Sequence, residues 1–189
     1  MARTSILTLL AGGDRRSIGR SDQVAEMVCE NPALFRELMA GLWSADPLVR
    51  MRAADASEKV ARKCPAWLRY KKELLGLMSE TKDPEIRWHL AVMIPRLPLT
   101  QRERQQVVSA LSSYLEDQSS LVKTFALQGL ADLACDAPDI RPRVRELLRQ
   151  ATRGGTPAMK ARSRKLLLQM EADEGRHEGL AGKGQRSGR

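Results

Sequence analysis

The chain has 189 residues, 42% hydrophobic, only 4% aromatic, with a net charge of +9. Plentiful charge with few aromatics suits a helical array rather than a β-sandwich, and the length suffices for one extended domain or a compact one with a tail. No apolar run approaches the ~20 residues that span a bilayer, and the stretch from Ile6 to Ala11 is too short for a signal peptide, so a cytoplasmic protein without a membrane span is expected.

Thr4 to Ala11 reads as a short helix with Ile6, Leu7, Leu9 and Leu10 on one face, ended by Gly12-Gly13. A second helix follows from Arg15 or Ser17 to Cys29, with Val24, Ala25, Met27 and Val28 apolar. Asn31-Pro32 opens a third, through about Trp43, whose apolar positions Leu38, Met39 and Leu42 recur as Leu74, Leu75 and Met78, as Ala110, Leu111 and Tyr114, and as Leu147, Leu148 and Ala151. Each set is an i, i+1, i+4 stripe, one face of an α-helix.

Between these helices lies a second recurring stretch. Asp46-Pro47-Leu48-Val49-Arg50 returns as Asp83-Pro84-Glu85-Ile86-Arg87, as Ser119-Ser120-Leu121-Val122-Lys123 and as Thr156-Pro157-Ala158-Met159-Lys160, at intervals of 36 or 37 residues. Each copy is an N-cap whose side-chain oxygen satisfies a free backbone N–H. Proline, where present, sits at the first helical position, where its missing N–H costs nothing. The helices that follow share the apolar rows Val49, Ala53, Ser57, Val60; Ile86, Leu90, Ile94, Leu97; Val122, Ala126, Leu130, Leu133; and Met159, Ser163, Leu167, Met170. A fixed period of this length predicts stacked two-helix repeats, because one helix cannot bury such a face alone. Repeats are expected at about 4–30, 31–64, 65–98, 99–137 and 138–170, as one domain over 1–170. Pro65, Pro98, Thr100, Pro138 and Pro142 stand at helix starts, and Pro95 is expected to kink its helix or end it early. From Glu171 the pattern stops among glycines and charges, which predicts a disordered tail over 171–189 containing His177.

Cys29, Cys64 and Cys135 are odd in number and form no C-x-x-C pair, which argues against a disulfide framework or a zinc site and for small buried thiols.

The residues Asp46-Pro47-x-Val49-Arg50-x-x-Ala53-Ala54 and Asp83-Pro84-x-Ile86-Arg87-x-x-Leu90-Ala91 resemble the HEAT repeat over about residues 31–170, with a weaker first repeat from residue 4. The resemblance implies an all-α, right-handed α-α superhelix (a solenoid) of about five two-helix repeats, with the second helices lining a concave face. The third and fourth copies depart from the pattern, with Ser or Thr for Asp and Lys for Arg. The stretch from Trp43 to Ala54 is also similar to a segment of the HEAT-like alkylpurine DNA glycosylases, basic proteins that hold DNA in the concave cleft. Those enzymes carry an inner-helix tryptophan followed four residues later by an aspartate. Here Trp88 is followed at that spacing by Val92, so the carry-over stops at the catalytic carboxylate.

The second helices are the more basic layer. Pro47 to Lys63 carries Arg50, Arg52, Lys59, Arg62 and Lys63 against Asp55 and Glu58, and Thr156 to Met170 carries Lys160, Arg162, Arg164 and Lys165. Such a surface suits an acidic protein or a nucleic-acid backbone, and a solvated helix face would look the same. The row Arg50, Arg87, Lys123, Lys160 reads either as a stripe that grips phosphates or as a ladder holding adjacent repeats in register. Trp88, His89 and Phe125 stack on a ligand if exposed and fill gaps between repeats if buried. Trp43 and Trp67 are expected to pack between repeats. Asp55 and Asp132 have no evident partner. No metal spacing, phosphate loop or nucleophile motif stands out, and no cofactor is expected. The expected function is a non-catalytic binding or scaffold module for a protein partner, with nucleic-acid binding as the alternative. The contact residues are Arg52, Lys59, Arg62, Lys63, Trp88, His89, Phe125, Arg162 and Lys165.

Overall fold

The computed structural model describes residues 5–14 and 16–184. Among these the chain is all-helical, with ten α-helices joined by short turns and no strand. It divides into two compact units, Met1–Ala110 and Leu111–Arg189.

The first unit is arranged around α4 (Pro47–Lys63), which packs against α1 (Ile6–Leu10), α2 (Ser21–Glu30), α3 (Phe35–Gly41) and α6 (Pro84–Met93). Asp46 starts α4 by accepting from the Leu48 N–H at 2.8 Å, with Pro47 in the first turn. Asp83 repeats this at α6, accepting from the Glu85 N–H at 3.0 Å. Val49, Ala53, Ser57 and Val60 on α4 are buried, as are Ile86, Leu90, Ile94 and Leu97. The approach of α4 to α3 is close. A Cβ on Gly41 would lie 2.8 Å from both the Ala53 Cβ and the Leu7 Cδ2.

Several helices are shorter than their periodicity predicts. The expected helix over 31–43 begins as a 3-10 turn, Pro32–Leu34, before α3. The one from Pro65 begins as a 3-10 turn, Pro65–Tyr70, before α5 (Lys71–Glu80). Pro95 ends α6 early: its ring cannot continue the i to i−4 ladder, and Ile94–Arg96 closes as a 3-10 turn. Thr100 and Glu103 form a reciprocal capping box at the start of α7 (Gln101–Tyr114). The Glu103 N–H donates to the Thr100 hydroxyl at 3.3 Å, and the Thr100 N–H donates to the Glu103 carboxylate at 2.8 Å. Lys71 also binds that carboxylate at 2.8 Å, and these bonds hold Glu103 down to about pKa 2.

The second unit takes the end of α7, α8 (Ser120–Cys135), α9 (Arg141–Gly154) and α10 (Pro157–Gly184), with α10 packed on both α8 and α9. Leu111, Tyr114, Val122, Ala126, Leu130, Leu133, Leu148, Ala151, Ser163, Leu166 and Met170 form its core. Met159 and Leu167, expected in the same rows, are only half-buried. The helix does not stop at Glu171. Glu171, Ala172 and Glu174 are good helix formers, and Glu174 pairs with Arg145 of α9, so α10 continues to Gly184. Residues 185–189 of the expected tail lie outside the described residues.

Candidate functional site

Side chains at the expected contact positions of the first unit turn largely inward. Arg52 is 2% exposed. Its guanidinium donates to four backbone carbonyls, Leu10 at 2.8 Å, Gly12 at 2.6 Å, Asp14 at 2.9 Å and Ser17 at 3.0 Å. The planar fork thereby closes the end of α1 and the loop that follows, where Gly12, Gly13 and Gly19 take left-handed φ. Arg52 is thus a structural clamp, with its guanidinium turned to carbonyls and closed off from solvent.

Lys59 lies between α2 and α4, with its ammonium 2.7 Å from Asp22 and 2.6 Å from Asp55. It also donates to the Ser21 hydroxyl at 3.1 Å, and Ser21 in turn bonds Asp55. Burial works to lower its pKa, but the two carboxylates outweigh burial and raise it. Asp55 is thus partnered, against expectation. Arg62 pairs with Glu58 at 2.7 Å, and Arg96 reaches the same carboxylate at 2.9 Å. Lys63 at the end of α4 is exposed.

His89 is likewise buried, 2% exposed, with its ring stacked on Trp88 at 3.4 Å between centroids. Burial pushes its pKa down to about 3. The nearby Asp55 opposes that shift, while Lys59 and Arg62 add to it. The ring is therefore neutral, and its Nδ1 has no hydrogen-bond partner. Trp88 is half-buried and donates its indole N–H to Glu85 at 3.1 Å. Trp67 is buried as expected. Trp43, expected to pack between repeats, is 54% exposed.

The repeated cations serve partly as a ladder. Arg50 on α4 reaches Asp83, the α6 cap, at 3.3 Å, and also donates to the carbonyls of Ser44 at 2.7 Å and Ala45 at 3.0 Å. Arg87 donates to the Thr81 carbonyl at 2.8 Å. In the second unit a hydroxyl pair, Ser120 and Thr156 at 2.7 Å, joins the capping turns of α8 and α10.

That unit brings Phe125 of α8 and Arg162 of α10 together, with the guanidinium 5.4 Å from the ring centroid. Arg162 donates to the Gln128 side-chain oxygen (Oε1) at 2.8 Å, and the Gln128 side-chain amide N–H donates to Asp132 at 2.7 Å, so Asp132 too is partnered. Further along the same two helices is a cleft of about 320 Å³ lined by Ala131, Asp132, Cys135, Leu166, Met170 and Asp173. Its apolar floor and carboxylate edge escape sequence reading, because Asp132 and Asp173 lie 41 positions apart and neither belongs to a recurring motif. Burial, then the carboxylates of Asp173, Asp132 and Asp136, raise the Cys135 thiol pKa. Lys165 and Arg164 on α10 are exposed, as is Leu168, at 66%.

Two thiols also meet in the first unit. Cys29, near the end of α2, and Cys64, which caps α4, hold their sulfurs 2.9 Å apart. The signal was present in the sequence, since the two are 35 positions apart, close to one repeat. Among the described residues no group of three or more His, Cys, Asp or Glu is placed to hold a metal ion, and no helix is long and apolar enough to cross a membrane. No family model, curated protein or solved structure matches the chain.

Proposed function

We propose that the chain is a non-catalytic, HEAT-like helical-repeat module that binds a protein partner in the cytoplasm. On this reading the helix pairs form one right-handed superhelix, and the contact surface belongs to the second helices. The capped Asp-Pro turns and the Arg50–Asp83 pair that links two of them support the repeat assignment. The observation that carries the choice of partner is the internal use of the cations. Arg52 is filled by four carbonyls and Lys59 by two carboxylates, while the exposed Arg62 is paired with Glu58. A phosphate backbone competing for these groups has to break existing bonds. A partner side chain that is apolar with a cationic end meets instead a ready cleft between α8 and α10, with Leu168 exposed on α10.

Nucleic-acid binding remains the second reading because Lys63, Arg164 and Lys165 are exposed on a chain of net charge +9. One pair of experiments separates them. A fluorescent DNA duplex is titrated at low and moderate salt, with wild type and with Lys63→Glu/Lys165→Glu. Displayed helical peptides are selected on the wild-type chain and retested against Asp173→Lys. The expected result is duplex binding that fades at moderate salt, and selected peptides that lose at least tenfold in affinity with Asp173→Lys. Duplex binding that persists at moderate salt and is lost in the double variant would reverse the order of the two readings.

A further inference from the structure

We propose that Cys29 and Cys64 form a reversible dithiol–disulfide site that reacts with small-molecule disulfides and, when closed, ties α2 to α4. The sulfurs at 2.9 Å are nearer than non-bonded packing requires and within easy reach of the ~2.05 Å bond. Both side chains are half-buried, so a small oxidant has access. The position is also mechanically apt. Cys64 is the C-cap of α4, its N–H bonded to the Val60 carbonyl at 2.9 Å, and Cys29 is the penultimate residue of α2. Neither sulfur sits mid-helix, where a shift of less than 1 Å would disturb a backbone ladder on both sides.

The chemistry balances. One protein thiolate attacks a sulfur of the small disulfide RSSR, forms a mixed disulfide and releases RS⁻. The second protein thiol loses its proton to solvent, attacks the protein-side sulfur of the mixed disulfide and releases the other RS⁻. Two protein thiols are oxidised, one small disulfide is reduced to two thiols, and two protons leave the protein and are available to the two small thiolates. Burial, reinforced by the hydrogen bond to Cys64, pushes the Cys29 thiol up to about 11, with Lys63 acting in the opposite direction. Closure is therefore slow at neutral pH and accelerates as pH rises, while the Cys29 thiolate is limiting. The closed loop contains α3 and all of α4, so the bond removes substantial freedom from the unfolded chain.

The test uses the full-length protein, reduced, then incubated with excess oxidised glutathione, alkylated and mapped by mass spectrometry. Expected are a Cys29–Cys64 linked peptide pair lighter by two hydrogens, continued alkylation of Cys135, and a Tm higher by roughly 5–10 °C that dithiothreitol reverses. Cys29→Ser and Cys64→Ser each give a mixed disulfide at the remaining partner and no linked pair, whereas Cys135→Ser closes like wild type. A second probe is independent of oxidation and of folding in the variants: phenylarsine oxide, which needs two adjacent thiols, binds one equivalent to the reduced wild-type chain and blocks Cys29 and Cys64 together. The idea is overturned if oxidation leaves both cysteines alkylatable or stops at mixed disulfides on both. It is equally overturned if the arsenical does not protect the pair.

Discussion

His89 and Arg52 occupy equivalent places in successive repeats, and the sequence presents both as polar groups available to a ligand. The structure buries both, for opposite reasons. Arg52 is charged and brings enough donors to satisfy four carbonyls, so its burial is compensated. His89 is buried by giving up its charge. That makes it a source of acid sensitivity. The unfolded histidine takes a proton below about pH 6.5, whereas the folded one holds out to about 3. The unfolded state therefore binds more protons in that window. The contribution of His89 is complete above about 6.5 and is lost as pH drops toward 3, by an amount on the order of a few kcal/mol. Urea denaturation from neutral to acid pH checks this. His89→Gln should show a shallower fall than wild type over that window, whatever its stability at neutral pH.

At the scale of elements, the starts of helices were legible and their cores largely so. Asp46, Asp83 and Thr100 cap where their residue types predict, and Pro95 ends α6 where its ring forbids the next hydrogen bond. The 3-10 entries at Pro32 and Pro65 were not legible, since the apolar stripe of an α-helix continues through a single tighter turn. The loop between α1 and α2 has no periodicity at all. Its shape is decided from outside, by Arg52, with Gly19 at φ +56 so close that a Cβ would lie 2.7 Å from the guanidinium carbon. Arg52→Ala should cost about 3 kcal/mol or more, because the carbonyls left behind are partly shut away from water. In that variant, hydrogen exchange should show residues 11–20 losing protection while α9 is unchanged. Arg52→Lys should recover only part of the loss, having a single ammonium in place of the fork.

For the whole molecule, each of the two compact units has its own core. All three tryptophans, Trp43, Trp67 and Trp88, fall in the first. Tryptophan fluorescence therefore reports the first unit, and far-UV circular dichroism reports both. Two cores that unfold independently predict urea midpoints that differ between the two probes. A shared midpoint across both probes would mean that the units unfold as one cooperative body.

The sequence by itself determined the helical class, the alternation of helix types and most buried positions, because caps, prolines and a 36- or 37-residue period act locally and need no partner to be read. Only the tertiary structure decided what the polar residues do. Arg52, Lys59 and Arg62 share one helix with Lys63, yet Arg52 and Lys59 spend their charge inside the protein, while Arg62, paired with Glu58, and Lys63 are exposed. Whether a cation is a clamp or a contact depends on which acceptors another part of the chain brings within about 3 Å of it. Asp22, Leu10 and Ser17 are brought there by the packing of α1 and α2 on α4. The same packing sets the Cys29 and Cys64 sulfurs side by side, at the near-repeat spacing the sequence already carries.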